Sequence, residues 1–540
     1  MVIMKAGKSS KIYAGLCAAL LASALNASPA FAQGATDSWF GLPLPGPATD
    51  AQIVRDAREL PPIPSPFAGT VPEFDGAEAH RRIVDIVNFS YEARDAGDPF
   101  WGRMTGSPSY NKTIDYIEAT LKSWRVPGLS RHVVPFYGPE RLPTAFQANV
   151  VMLDKSGNEV ERLALQSAFP LRYVMTAGAD GKPVLGAQRV AAKAPLVSIG
   201  RGNLVDIATR DLRGKIAVAS IPAEPTPFYS EYRQIADRAA AAGAVGLVLA
   251  WSTPGNMQIA LANCKDIPCV NLGGKDGAFL RALMARAEAS PARELVMELG
   301  VDTEARDNKT TTILVTKVPG QSAANNIVVF AHADAYLSGA NDNASGVAIL
   351  MSLIKYYSKQ KNKYDIYFVV SPGHHSNTQG SKPFVDLNPQ VPAGNLLTIN
   401  IEHVAQRGIA RSQFGFLDNK LPGNYDEDPQ TYVFMNADST LREVQLSHAN
   451  NEKVAKIFRD AITSNRLISP ARIVQSTFQE VGPIAQGGGI TMQHVETSLL
   501  YHTSGDTPDT VSPVTLEGNA LFYKTLIDNF SKTSKEELLN

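Results

Sequence analysis

The chain has 540 residues, 44% of them apolar and 19% charged, with 51 basic side chains against 52 acidic ones. The near-zero net charge, with no basic cluster interleaved with aromatics, gives no case for nucleic acid as a partner. The length exceeds what one core accommodates and implies two or more domains.

At the start, Lys5, Lys8 and Lys11 precede an apolar run over residues 13–25 that ends in Ala30-Phe31-Ala32, the pattern of a secretory signal. Cleavage is expected before Gln33, removing residues 1–32. The run is too short for a comfortable membrane span, and Leu16 before Cys17 does not suit a lipoprotein. The mature chain is therefore expected in the periplasm or outside the cell, with no membrane association. Residues 33–75 are rich in Pro and Gly without a periodic apolar face, and predict an extended arm.

Apolar residues at helical spacing over 77–93 and 113–124, the second reading Ile114, Tyr116, Ile117, Leu121, open a first part of the main domain, placed at residues 76–160. A composition shift near Arg162 begins an insert, placed at 161–305. Its short β-rich runs at 215–219 and 245–249 flank an Ala-rich helix at 232–242, giving strand, helix, strand. Asp211-Leu-Arg-Gly-Lys-Ile, Ala240-Ala-Ala-Gly-Ala-Val-Gly-Leu-Val and Ile267-Pro-Cys-Val resemble the protease-associated domain, a noncatalytic insert of several peptidase families. The other assignment is a generic α/β segment.

Cys17 leaves with the signal, so only Cys264 and Cys269 persist, in Cys-Lys-Asp-Ile-Pro-Cys. Close spacing in an oxidising compartment favours a local disulfide; a Cys-type zinc site needs further soft ligands nearby, and none follow.

From residue 306 to 535 strands alternate with helices: strand at 327–330, helix at 344–357, strands at 364–370 and 396–401. This predicts an α/β fold, a mainly parallel mixed sheet sandwiched by helices, with functional residues at the carboxyl ends of strands. Polar groups follow each apolar run: His332-Ala-Asp334 and Gly339-Ala-Asn-Asp342-Asn-Ala-Ser-Gly346, then His374-His375, then Glu402-His403, and finally Tyr501-His502-Thr-Ser-Gly-Asp506-Thr507. Imidazoles and carboxylates converging on one rim suit a borderline ion such as zinc.

His-x-Asp followed by Gly-Ala-x-Asp-Asn-x-Ser-Gly, with Tyr-His-Thr-x-x-Asp-Thr near the end, resembles the dizinc aminopeptidases, the family that includes transferrin-receptor-like and glutamate-carboxypeptidase-like proteins. Gly106-Ser-Pro and its following helix look like the family's opening. The resemblance implies His332 on one metal, His502 on the other and Asp342 bridging both, with Asp334 orienting His332 and Asp506 standing behind the ligands. It also implies a cis peptide between Asp342 and Asn343.

The middle of the pattern departs. Where the family has paired glutamates, this chain has His374 at the position of the general base and His375 at that of a ligand, and Glu402 stands where the family usually has Asp. One ion could then be held by His332, Asp342 and Glu402, the other by Asp342, His375 and His502. The loss of a negative charge favours one zinc over two. Tyr501 is a candidate oxyanion donor or a packing residue; Glu496 and His403 are taken as structural or supporting.

The implied function is an exported zinc metallopeptidase-like hydrolase, cleaving an amide in a peptide or peptide-like small substrate by metal-activated water with His374 as proton shuttle. The alternative is a pseudoenzyme or binding protein on the same fold, because both glutamates are replaced.

Overall fold

The structure, a computed structural model, describes residues 38–48, 53–55, 63–178, 180–222, 230–253, 255–290, 292–376, 380–407, 409–411, 432–434, 442–467, 471–474, 480–496 and 498–539. The signal segment and its cleavage site lie outside them. Met1–Leu42 is a unit of its own, of which the described part is a short turn at Ser38–Gly41; Pro43–Asn540 is the second unit.

Within the second unit, helix α1 (Gly76–Asp95) starts where the Asp75 carboxylate accepts the Glu78 amide at 2.9 Å, and it buries Ile83, Ile86 and Val87 at i, i+3, i+4 spacing. Helix α2 (Pro108–Ser123) buries Tyr110, Ile114, Ile117 and Leu121. It begins a turn and a half earlier than the apolar period predicts, because Ser107 caps the Tyr110 amide at 3.2 Å and Pro108 fits the first turn. Strand β1 (Leu129–Pro135) follows.

The chain then enters an eight-stranded sheet made of β2 (Glu140–Leu153), β3 (Glu159–Ala164), β4 (Phe169–Pro170), β5 (Gly186–Ser198), β6 (Ile216–Ile221), β7 (Gly246–Trp251), β8 (Cys269–Leu272) and β9 (Glu294–Arg306), in the order β3-β2-β9-β5-β6-β7-β8-β4. The first strand of this sheet thus begins at Glu140, ahead of the compositional shift near Arg162. The long β2 pairs antiparallel with β9 from Glu140↔Arg306 to Leu153↔Glu294, so the chain enters and leaves by one ribbon. The compositional shift at Arg162 marks a change of strand within that sheet. Helix α3 (Ser230–Ala241) covers β6 and β7, packing Ile235 and Ala239 against Ala217, Ala219, Leu247 and Leu249; α4 (Gly274–Glu288) follows β8. Cys264 and Cys269, both buried in this core, are joined as a disulfide with Cα atoms 6.2 Å apart.

Back in the main domain come β10 (Thr310–Val318), β11 (Gly320–His332), helix α5 (Gly346–Tyr357), β12 (Asn362–Ser371), β13 (Asn395–Glu402), β14 (Arg442–Leu446), α6 (Glu452–Ser464), β15 (Ala471–Val474), β16 (Ile490–Glu496) and α7 (Pro513–Phe530). The sheet order is β15-β14-β16-β13-β11-β12-β10-β1, with the central four strands parallel. Alternation explains the continuous apolar runs. Ile327, Val329 and Ala331 face the core built by α1, α2, α5 and α7, whereas Val328 and Phe330 face a second core with Phe384, Val391 and Ile484. Among the described residues no helix is long and apolar enough to cross a membrane.

The disulfide closes a loop of only a few residues, so its removal is expected to cost about 2 kcal/mol. A Cys264→Ala/Cys269→Ala protein should show that loss in urea unfolding of the insert, and the unreduced wild type should yield no titratable thiol when denatured. Two free thiols in material from an oxidising compartment would contradict the link.

Candidate metal centre

Four parallel strands deliver their carboxyl ends to one rim. β11 ends on His332, which pairs in register with Ser371 at the end of β12; His374 and His375 follow three and four residues on. β13 ends on Glu402 with His403 next, and β16 ends six residues before His502. Between β11 and α5 the backbone turns at Gly339 in the left-handed region (φ 62°), where a Cβ would lie 2.6 Å from the Asp342 carbonyl oxygen. The peptide Asp342–Asn343 is cis, as the family resemblance implies. Asn343 ties this loop to β13, donating to the Ile401 carbonyl at 2.9 Å and accepting the His403 amide at 3.2 Å.

Asp342 is the hub. Its Oδ1 lies 3.1 Å from His403 Nε2, 3.4 Å from His332 Nε2 and 3.6 Å from His375 Nε2, and its Oδ2 lies 3.0 Å from His502 Nε2. None of these six atoms makes a hydrogen bond, although all are buried. Burial of so many unsatisfied polar atoms is costly, and a bound cation would offset that cost. The spacing agrees: donors 2.0–2.1 Å from one tetrahedral zinc stand about 3.3 Å apart. Burial pushes His375 down to about 3 and His502 down to about 4, so both are neutral at neutral pH and offer lone pairs. Burial alone would raise the Asp342 carboxyl, but the His403 and His375 rings outweigh it and hold it well below the usual range.

The hub rests on charged groups beneath it. Arg103, fully buried, donates to the carbonyls of Ser338 and Gly339 and to Ser90 Oγ, each at 2.8 Å. Burial lowers it to about 10, which leaves it cationic, and Asp506, Asp342 and Asp334 favour its charge. Asp506 accepts the amides of Asn341 at 2.8 Å and Asp342 at 3.0 Å, and burial raises its carboxyl to about 7. Asp334 supports more than His332: its carboxylate accepts the amides of His374 at 3.2 Å and His375 at 2.8 Å. The His332 Nδ1 meets the Asp334 carbonyl oxygen at 3.0 Å, with the carboxylate at 3.6 Å.

The remaining predicted residues stand differently. Glu402 meets the hub through His403: its Oε1 is 3.4 Å from both His374 Nε2 and His403 Nε2, and its Oε2 accepts Gln493 at 2.6 Å. His332, His374, Glu402 and His403 form one group able to hold an ion; His332, Asp342 and His375 form another. His374 stacks on His332 with ring centroids 4.1 Å apart, and its Nδ1 meets the carboxylate of Glu480. Burial would lower its proton affinity, but Glu480 and Glu402 outweigh that and raise it well above an ordinary imidazole. Tyr501 lies flat on His502 at 3.6 Å and packs against the insert's apolar core.

Two participants escaped the sequence. His403, taken there as supporting, turns into the hub at φ 50°, and Glu480 belongs to no motif at all. Glu402-His403 at a strand end carried a signal for the former; nothing local carried one for the latter. The insert also reaches the centre, since Ala260 donates to the His502 carbonyl at 2.8 Å and Gln258 pairs with Ser504.

Residues 313–525 match the model of Peptidase family M28. The fold is similar to that of the Peptidase M28 precursor from Shewanella amazonensis SB2B, at 17% identity over 85% of this chain and 97% of that one, with a TM-score of 0.56. It is also similar to BSAP, a zinc aminopeptidase from Bacillus subtilis, at 16% identity over 84% and 95%, with a TM-score of 0.52. Among curated proteins, none matches the sequence.

Zinc titration should find His403→Ala, like His332→Ala and His502→Ala, weaker than wild type by about tenfold to a hundredfold or more; equal affinity in His403→Ala would remove it from the ligand set. Arg103→Met should lower unfolding free energy by about 3–5 kcal/mol in urea, since it strips the cation from a buried acidic cluster.

Proposed function

We propose, for a chain whose residues 313–525 match the model of Peptidase family M28, an exported zinc-dependent exopeptidase that hydrolyses the amide bond at the amino end of a peptide or peptide-like substrate. The observation that carries this is the set of buried imidazole nitrogens meeting on Asp342 without hydrogen-bond partners. His332, Asp342, His375, Glu402, His403 and His502 would share the holding of one or two zinc ions, since a single catalytic zinc keeps a position open for water. When bound, zinc would polarise the scissile carbonyl and acidify the attacking water.

The chain's own residues supply the rest. Asp334 fixes the His374-His375 backbone, and Tyr336 donates to the His375 carbonyl at 3.1 Å, so both rings are aimed before substrate arrives. Beside a bound cation the protonated form of His374 would be disfavoured, and the neutral ring would take the proton of the attacking water on Nε2 as oxygen adds to the carbonyl carbon and return it to the leaving nitrogen as the C–N bond breaks. The flanking carboxylates favour a proton on this ring, which suits the second half of that transfer. Tyr501 keeps His502 in place by stacking, and an oxyanion contact is a further role for it.

The insert is proposed to be a protease-associated domain that walls the cleft, supported by its strand order and by the backbone bonds from Gln258–Ala260 to the His502 loop. Export is supported by the Lys-led apolar start of the sequence and by the disulfide. The rival reading, binding without hydrolysis, draws on one feature: an imidazole between two carboxylates occupies the place of the family's glutamate.

Purified protein should contain zinc, lose turnover of aminoacyl, dipeptide or N-acyl amide substrates on chelation, and regain it with zinc. His374→Ala should keep its metal and lose about a hundredfold or more in turnover. A wild type that holds zinc, hydrolyses none of these and gains activity only as His374→Glu/His375→Glu would leave the binding-protein reading standing instead.

A further inference from the structure

Resting on that hydrolase reading, we infer that Glu480 is the positioning residue for His374, so that an imidazole backed by a carboxylate does here what one carboxylate does at that place in related enzymes. Three features of the structure converge on it. First, the Glu480 Oε1 meets His374 Nδ1, leaving Nε2 on the side of Glu402 and His403, 3.4 Å from Glu402 Oε1. An imidazole whose Nδ1–H is held by a carboxylate keeps its other nitrogen for the reacting atoms, and its ring plane is fixed as well.

Second, Glu480 is itself held from both ends. The Asn400 amide donates to its Oε2 at 2.5 Å and to Glu402 Oε2 at 3.1 Å, one side chain setting the distance between the two carboxylates. The Ser381 amide donates to the Glu480 backbone carbonyl at 2.6 Å. Third, the backbone of Glu480 lies against Gly380, which has φ 47°; a Cβ at that glycine would stand 2.6 Å from the Glu480 Cα. Gly380-Ser381, just downstream of the two histidines, is thus the seat on which Glu480 docks. A residue that only filled space would need neither the Asn400 tether nor the aim at Nδ1.

Glu480 makes no ion pair or hydrogen bond with a donor atom of the Asp342 hub, and whether its effect runs through His374 as proton carrier or through the ion is what zinc content decides. The test uses the full mature chain. Proton NMR of the metal-free wild type should show a strongly downfield exchangeable imidazole proton, absent in both His374→Ala and Glu480→Gln. Zinc content of Glu480→Gln should equal wild type, its kcat on an aminoacyl amide should fall about 10²- to 10⁴-fold with KM within about twofold, and Glu480→Asp should recover part of the loss. Absence of the downfield proton from wild type, its persistence in Glu480→Gln, loss of zinc in that variant or an unchanged kcat would each overturn the assignment. A wild type that shows the proton yet hydrolyses no amide would instead sink the hydrolase reading, and with it the catalytic meaning of the pair.

Discussion

The constraint on which this architecture depends is the burial of one carboxylate, Asp342, among four imidazoles. A buried ionised carboxylate with no hydrogen bond is among the costliest groups a protein can carry, and four imidazole lone pairs beside it add to the cost. The chain tolerates this because strands fixed on both faces by apolar packing hold the donors where they cannot relax toward water. Rigidity of the sheet is thus a precondition of the centre's chemistry, not a background to it.

Charge beneath the site completes that bargain. Arg103 stands fully buried with its guanidinium on backbone carbonyls, where it offsets Asp334, Asp342 and Asp506 while leaving their oxygens to amides and imidazoles. A lysine could supply the charge, but not the planar fork that reaches Ser90, Ser338 and Gly339 together. The loop after β11 is consequently shaped from below by Arg103, from the side by Asp506 and from β13 by Asn343, and the cis peptide sits where these meet.

How much of this was legible in the sequence differs by residue, for physical reasons. The motifs holding His332, Asp342, His375 and His502 were readable because each comes after an apolar run that ends at a sheet rim, and their ligand roles came only with the family resemblance. The direction of Glu402 was not, since one added methylene lets the carboxylate swing toward Gln493 and His374. His403 was undervalued because alternation along an extended strand would turn neighbours of Glu402 away, whereas its left-handed backbone breaks the alternation and turns the ring inward. Glu480 was invisible: its partners lie about eighty residues or more upstream, and no local pattern encodes a contact of that range. Strand β2 joins the insert's sheet through its pairing with β9, a long-range contact that no local pattern encodes.

The backbone bonds between Gln258–Ala260 and the His502–Ser504 loop carry a consequence for cooperativity. The last imidazole of the hub is presented by a loop that leans on the insert, so the loop's preferred position is shared property of two cores. An ion that favours the native place of His502 favours the insert's native packing by the same free energy, and anything that loosens the insert lowers the ion's affinity to match. A region with no donor atom of its own would thereby become a determinant of occupancy at the centre, through the Gln258–Ala260 contacts alone.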